Sequence, residues 1–351
     1  MLNHSFYKSL ARPLLFSLPP ETAQQIVDVA LKQHLVWKCL SSVFRVQNPK
    51  LNVNLAGLEI TNPVGLAAGY DKNCQILPSL ASLGFGYLTC GTVTESPRKG
   101  NPKPRVIRYI KDKSLVNSLG FPNLGVEFAA HQLQKAQTRL GQTPIIVSIS
   151  GATVNEILRC HKRLESLSNA IEINISSPNT ANLREFHNIS VLEKLLNSLN
   201  AQRTKPLFVK LPPYAHKSSQ SVSLLPAREE VLEMARTCVS KGVECLTIAN
   251  TKPIHEIRLV VGTGGLSGKS IFEDTLRMVS EIRREVGQNT CINASGGIFS
   301  GDDAWEALKA GANTVQLLTG LIYRGPSVSK KINLELLSAM DLKGTAYQNT
   351  I

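Results

Sequence analysis

Eight short apolar segments, spaced along the chain from Asn62 onward, constrain the fold more than any other feature of this sequence. They span residues 64–68, 87–93, 145–150, 170–175, 207–211, 245–249, 291–294 and 314–318. Most are apolar without alternation, as expected for parallel strands covered on both faces. Helical periodicity follows at 154–167, 191–200, 228–241, 273–286, 302–310 and 328–340. The pattern predicts an α/β protein, a (β/α)8 TIM barrel, with a doubly wound open sheet as the alternative.

The first 45 residues differ from this pattern and predict a short N-terminal amphipathic helical extension. Apolar residues recur at helical spacing on both sides of Pro19-Pro20, which predicts two helices. Residues 1–50 carry six Lys or Arg against two Asp or Glu. Such helices suit the surface of an anionic bilayer, or they pack across one end of the barrel. We divide the chain into residues 1–45, this helical segment, and residues 46–351, the barrel domain.

Composition narrows the class of protein further. A chain of 351 residues that is 42% hydrophobic can bury a large core, which excludes a disordered tail protein. The net charge of +13 favours anionic partners but does not choose among them. The seven cysteines form no CxxC pair and no zinc-like spacing, so we expect reduced thiols in the core and no metal site. No apolar stretch reaches the ~18–20 residues of a spanning helix, and no secretion signal is evident.

Glycine-rich segments follow the last three predicted strands. They are Ser295-Gly296-Gly297, Leu318-Thr319-Gly320 and residues 262–268. In barrel enzymes, backbone N–H groups of the loops after strands seven and eight commonly bind a phosphate, and glycine permits the close approach. These segments together predict a phosphate-binding site.

Amide and lysine side chains gather where the other predicted strands end. They include Lys72, Asn174, Lys210, Asn250 and Thr251, and the long Pro/Gly/Lys/Arg-rich loop expected at residues 95–123 adds Asn117. Each Asn alone is better explained as a turn or cap residue, but together they suit a planar anion, whose edges pair with amides and whose carboxylate pairs with a lysine. Lys210 stands in an otherwise apolar strand, and a buried ammonium needs an anionic partner. We therefore expect Lys210 to face a ligand.

Four motifs stand in order along the chain: NPVGLAAGYDKN at residues 62–73, GNPKPR at 100–105, NISSPNT at 174–180 and TGGLSG at 263–268. From about Phe6 to Pro326 the chain resembles the dihydroorotate dehydrogenases, specifically their membrane-associated, quinone-using class. The resemblance implies a barrel that binds FMN and oxidises dihydroorotate to orotate in pyrimidine synthesis, with a membrane quinone as electron acceptor.

The resemblance also assigns the catalytic group to Ser177. In the family this residue removes a C5 proton while hydride passes from C6 to the flavin N5. The soluble class generally has Cys there, so the serine favours the quinone-using class. A serine hydroxyl is hardly ionised near pH 7, so the site must exclude water and pass the proton onward. The resemblance also implies that Thr180 and Phe121 flank the route by which the proton leaves the site.

Further site residues come from the same resemblance. The positions that bind substrate are Lys72, Asn117, Gly120, Phe121, Asn174, Asn179, Asn250 and Thr251. The positions that bind FMN are Ala68, Gly69, Thr92, Ser148, Asn174, Lys210, Gly268, Gly296, Gly297, Leu318 and Thr319. The chain departs from the usual family residues at Ser148, Ala249, Leu318 and Pro122. Three of these four changes remove hydrogen-bonding capacity around FMN, so we predict weaker FMN retention.

The expected partners are dihydroorotate, orotate and a membrane quinone, with no nucleic acid. Residues 1–40 are expected to hold a monomer or homodimer on the cytoplasmic face of the inner membrane. One alternative is the soluble class, which uses fumarate or NAD; another is a barrel that binds a phosphorylated ligand without turnover. A flavin-dependent tRNA dihydrouridine synthase would suit the net charge, but it needs a catalytic cysteine in a strand-end loop and an RNA-binding domain, and neither is visible.

Overall fold

Eight parallel strands close into a barrel in the computed structural model, which describes residues 7–176, 181–215 and 225–343. In chain order the strands are β1 (Val53–Leu55), β2 (Leu58–Ile60), β3 (Val64–Leu66), β4 (Tyr87–Val93), β5 (Val106–Tyr109), β6 (Ser114–Asn117), β7 (Ile145–Ile149), β8 (Ala170–Asn174), β9 (Leu207–Lys210), β10 (Cys245–Ile248), β11 (Lys252–His255), β12 (Thr263–Gly268), β13 (Cys291–Ser295) and β14 (Thr314–Leu317). The barrel order is β3-β4-β7-β8-β9-β10-β13-β14, closing back onto β3. The predicted (β/α)8 barrel is confirmed, and the open sheet is wrong.

Helices surround the barrel and follow each of its strands. They are α1 (Arg12–Ser17), α2 (Pro20–Leu31), α3 (His34–Cys39), α4 (Ser41–Phe44), α5 (Leu77–Ala81), α6 (Val126–Ala136), α7 (Val154–Leu164), α8 (Ile189–Asn200), α9 (Arg228–Ser240), α10 (Phe272–Val286), α11 (Gly301–Lys309), α12 (Thr319–Arg324) and α13 (Val328–Lys343). Helix α8 shows why they dock. Its leucines at 192, 195, 196 and 199 are fully buried, at about 1.5–3 kcal/mol each, and the Asn188 side chain caps its first turn.

A second sheet, called the capping sheet below, covers the barrel mouth with strand order β11-β12-β6-β5. It corrects one sequence-based expectation, because residues 95–123, which were expected to form one long loop, contain β5 and β6. The glycine segment 262–268 contains β12, and its part in phosphate binding stays a prediction. Backbone pairing over about 150 residues creates this sheet, with Gly265 opposite Asn117. A Cβ on Gly264 would lie 2.8 Å from the Asn117 carbonyl oxygen, so glycine permits the close approach.

The N-terminal segment forms the two predicted helices, α1 and α2, which meet at Pro19, and two further short helices, α3 and α4. Side chains tie it to the barrel mouth: Arg105 Nη2 lies 2.9 Å from Glu21 Oε1, and Arg108 donates to the Leu18 carbonyl at 2.7 Å. The Tyr7 hydroxyl donates to the Ile322 carbonyl at 2.6 Å. Among the described residues, no helix is long and apolar enough to cross a bilayer.

The seven cysteines are all free thiols, and six of them are buried as expected. Cys39 contradicts the expectation, because it is exposed at the end of α3. No residue of that six-residue surface helix is buried, so an apolar residue type there does not indicate a core position.

Candidate active site

A cavity of about 790 Å³ opens at the carboxyl ends of the barrel strands. It is lined by most of the predicted site residues, namely Ala68, Gly69, Lys72, Thr92, Asn117, Gly120, Phe121, Asn174, Lys210, Asn250, Thr251, Gly268, Gly296, Gly297, Leu318 and Thr319. Ser148 does not line it but lies beneath, hydrogen-bonded to Thr92 (3.1 Å between the hydroxyl oxygens). The predicted residues Ser177, Asn179 and Thr180 lie outside the described residues.

Asn174 organises the polar wall of this cavity. Its Nδ2 donates to the Thr92 hydroxyl at 3.0 Å, and its Oδ1 accepts from the Ser176 hydroxyl at 2.9 Å. Asn250 Nδ2 donates to the same Ser176 hydroxyl at 3.0 Å. The amides are thus fixed in place by their neighbours, which favours binding a rigid planar ligand without further ordering.

Ser176 is a residue that the sequence-based reasoning missed. Its side chain is buried and bridges Asn174 and Asn250, which come from the ends of β8 and β10. The signal available in the sequence was its place directly before Ser177, in the 174–180 motif. That position alone does not distinguish a bridging hydroxyl from an ordinary turn residue.

Lys210 ends β9 and faces the cavity, with only 6% of its surface exposed. Its ammonium group makes no hydrogen bond or ion pair with another described residue. Burial lowers the pKa of Lys210, and the nearby Glu172 carboxylate opposes that effect. An unpartnered buried lysine at a cavity wall is suited to an electron-rich ligand atom.

Lys72 lies on the opposite wall, in the segment after β3. Burial lowers its pKa, whereas the carboxylates of Asp28 and Asp71 act in the opposite direction. Asp71 accepts backbone N–H bonds from Gln75 and Ile76, both at 2.9 Å, and thereby fixes the turn that carries Lys72. Burial raises the pKa of Asp71 to about 6.

The glycines after β13 shape the far end of the cavity. A Cβ on Gly297 would lie 2.6 Å from the Cβ of Phe272, the first residue of α10, and the φ angle of Gly297 is +74°. Only glycine therefore fits there. The hydroxyls of Ser267 and Thr319 lie 3.0 Å apart on the adjoining wall. This wall offers hydroxyl donors and bare backbone, a donor set that fits a phosphate ester.

The other end of the cavity is apolar and runs beneath the N-terminal helices. Leu14, Leu15, Val27 and Ala30 line it, and Arg108 is its prominent polar member. The Arg108 guanidinium lies 4.6 Å from the Phe16 ring centroid, and burial lowers its pKa. One cavity therefore joins an amide-rich polar site to an apolar passage.

In the ranges 7–176, 181–215 and 225–343 no three His, Cys, Asp or Glu side chains come together as a metal site. The polar end of the cavity offers amides, hydroxyls and two lysines.

Fold and cavity together define a (β/α)8-barrel protein whose polar ligand site lies at the carboxyl ends of its strands. Residues 50–340 match the model of the family described as "Dihydroorotate dehydrogenase", and the chain belongs to that family.

Similar proteins agree with this assignment. A protein of Chelativorans sp. (strain BNC1) named "Dihydroorotate dehydrogenase (quinone)" is 35% identical, with 95% of this chain and 92% of the relative covered. A protein of Coxiella burnetii (strain Dugway 5J108-111) with the same name is 36% identical, with 92% and 94% covered. The crystal structure of the Eimeria tenella enzyme in complex with ferulenol has a TM-score of 0.82 at 28% identity, with 96% and 98% covered.

Proposed function

We propose that this chain oxidises (S)-dihydroorotate to orotate and delivers the electrons to a membrane quinone, in the synthesis of pyrimidine nucleotides. The observation that carries the proposal is the single cavity, which joins the amide and lysine site to an apolar passage beneath α1 and α2. A polar carboxylated pyrimidine suits the first part and an apolar quinone the second.

The cofactor proposed for the cavity is FMN, which when bound accepts a hydride from the substrate and releases electrons to the quinone. The residues present fit it. Gly297, Ser267 and Thr319 offer backbone and hydroxyl donors for a phosphate, and Lys210 is a buried cation without a partner among the described residues. Thr92 and Asn174 would hold the ring system from the side of β4 and β8.

Substrate binding is assigned to Lys72 and the amides. Lys72 lines the cavity and supplies the positive charge that the substrate carboxylate requires. Asn117, Asn174 and Asn250 present donors and acceptors at fixed positions for the N–H and C=O edges of the pyrimidine ring.

Removal of the proton from C5 of the substrate is assigned to Ser177, which follows Ser176 in the sequence after β8. Ser176 is held by Asn174 and Asn250, so the chain leading to Ser177 is anchored to the ends of β8 and β10. Phe121 lines the cavity and is proposed to flank the route by which the proton leaves. Thr180 is proposed to receive the proton next.

The N-terminal helices are proposed to dock on the membrane. The segment carries exposed apolar side chains at Leu10, Val29, Leu35, Val36 and Val43, and the exposed side chains of Leu14 and Ile26 also border the cavity. The inner surfaces of the helices line the apolar passage. Residues 1–45 then form the docking segment, residues 46–351 the catalytic unit, and the protein is peripheral to the cytoplasmic face of the inner membrane.

Steady-state assays with several electron acceptors test the proposed function. With dihydroorotate as donor, we expect turnover with a short-chain quinone and none above background with fumarate or NAD. Turnover with fumarate or NAD but not with quinone would contradict the assignment of the acceptor.

A further inference from the structure

A carboxylate lies fully buried inside the barrel, one layer below the cavity. Glu172 of β8 has 0% of its surface exposed, and its Oε1 has no hydrogen-bond partner among the described residues. Barrel interiors are normally filled by branched apolar side chains, and burying an unpaired carboxylate is costly. Nothing in the binding of substrate or cofactor described above uses this group.

Strand register places Glu172 directly beneath Lys210. Asn174, two residues after Glu172 on the same strand, pairs with Lys210 of β9, and both Asn174 and Lys210 line the cavity. Residues two apart on a strand share a face, so Glu172 also points into the barrel, one level lower. Thr247 of β10 pairs with Lys210 in register and donates to Glu172 Oε2 at 2.8 Å.

A chain of hydrogen bonds leads across the barrel interior to Glu172. The Tyr87 hydroxyl donates to Asn293 Oδ1 at 2.6 Å, Asn293 Nδ2 donates to Thr247 Oγ1 at 3.5 Å, and the Thr247 hydroxyl donates to Glu172. Every donor in this chain points toward the carboxylate, which is the arrangement that stabilises an anion. Within the described residues, Glu172 is also the charged group that acts on Lys210.

We propose that Glu172 is a positioning residue that acts through Lys210: its buried negative charge offsets the lysine and lowers the reduction potential of the cofactor held above them. The inference rests on the proposed function, in which Lys210 faces the flavin edge where negative charge accumulates on reduction. Lys210 alone would hold electrons on the flavin. With Glu172 beneath it, the electrons leave more readily for the quinone.

The pairing itself is tested on ligand-free protein by a double-mutant cycle of unfolding free energies, with Glu172→Gln, Lys210→Met and the double variant. Each single change leaves one buried charge without compensation. The folding constant of the double variant should therefore exceed, by threefold or more, the value expected if the two single effects were independent. A coupling below threefold would overturn the pairing.

The effect on the cofactor is tested by spectroelectrochemical titration of the FMN-loaded protein. Glu172→Gln should raise the midpoint potential by at least 30 mV, equivalent to tenfold in the two-electron equilibrium, and Lys210→Met should lower it by a similar amount. Tyr87→Phe removes a neutral hydroxyl from the far end of the same chain and should move the potential by less than 30 mV. A smaller or downward shift in Glu172→Gln would overturn the proposal.

Two features of the design keep its outcomes separate. If Glu172→Gln does not fold, it is replaced by the double variant Glu172→Gln/Lys210→Met, in which no buried charge remains uncompensated. The midpoint potential of the double variant must be higher than that of Lys210→Met. An equal or lower potential overturns the proposal. If the wild-type protein binds no flavin, the proposed function fails, while the cycle on ligand-free protein still decides whether Glu172 and Lys210 interact.

Discussion

At the scale of single residues, the two adjacent serines after β8 are expected to differ sharply in function. Ser177→Ala should slow flavin reduction by dihydroorotate by several orders of magnitude and leave orotate affinity nearly unchanged, because the hydroxyl acts mainly in the transition state. Ser176→Ala should instead weaken orotate binding, because it releases Asn174 and Asn250. Anaerobic stopped-flow reduction and orotate titrations measure the two effects. Equal loss of orotate affinity in both variants would contradict the assignment.

Asp71 provides a pH-dependent test of the turn that carries Lys72. Its folded-state pKa is raised from 3.8 to about 6, so the carboxyl contributes stability below pH 4 that is lost as the pH rises through 6. The unfolding free energy of the wild type relative to Asp71→Asn should therefore fall by about 2 kcal/mol between pH 4 and pH 6. Denaturant titrations of ligand-free protein at several pH values measure this. A difference that stays constant or grows with pH would contradict the burial argument.

The departures from the usual family residues lead to a prediction about cofactor affinity. Ala249, Leu318 and Pro122 line the cavity without side-chain hydrogen-bonding groups, and Ser148 uses its hydroxyl on Thr92. We expect FMN to be retained less tightly than in typical flavoenzymes. Flavin fluorescence released on dilution gives the dissociation constant, and a value as tight as theirs would show the prediction to be wrong.

At the scale of elements, the N-terminal helices are separable from the first half-reaction. Deleting residues 1–40 should spare flavin reduction by dihydroorotate but impair turnover with long-chain quinones and binding to anionic vesicles. Sedimentation with phosphatidylglycerol-containing vesicles measures the binding.

A milder pair of variants controls for misfolding after truncation. Val29 of α2 and Leu35 of α3 are 63% and 65% exposed. The double variant Val29→Glu/Leu35→Glu should reduce vesicle binding with flavin reduction intact. Ile257 is 94% exposed in the turn between β11 and β12, and Ile257→Glu is the matched control that should bind vesicles normally. Undiminished vesicle binding by the truncated protein would contradict the docking proposal.

Different elements of the fold were predictable to different degrees. The barrel strands are continuous apolar runs because both faces are buried, so local sequence suffices to find them. Local sequence does not reveal the strands of the capping sheet. Strand β12 has the sequence TGGLSG, which carries no strand propensity, and it exists because Gly265 pairs with Asn117 far away in the chain.

The candidate site shows the same division. Strand-end residues such as Lys72, Asn174 and Lys210 were predictable, since parallel strands bring their carboxyl ends together. Ser176, Arg108 and Glu172 were not, because their importance depends on distances across the barrel and to the helices. Ser176 becomes informative only through Asn250, and Arg108 only through the carbonyl of Leu18.

At the scale of the whole molecule, the cavity links two reactions with opposite requirements. The polar end must hold a carboxylated ring away from water, and the apolar end must admit a lipid-soluble acceptor. Glu21 and Arg105 tie the helices to the capping sheet region, so both ends belong to one packed structure. The net charge of +13 is compatible with the proposed docking on an anionic membrane surface.

An anaerobic titration of the FMN-loaded protein with dihydroorotate, followed by flavin absorbance, tests this account most directly. We predict stoichiometric bleaching of the flavin, followed by full recovery of its colour on addition of a short-chain quinone. A flavin that dihydroorotate does not bleach would contradict the proposed reaction, and one that bleaches but is not reoxidised by quinone would contradict the proposed acceptor.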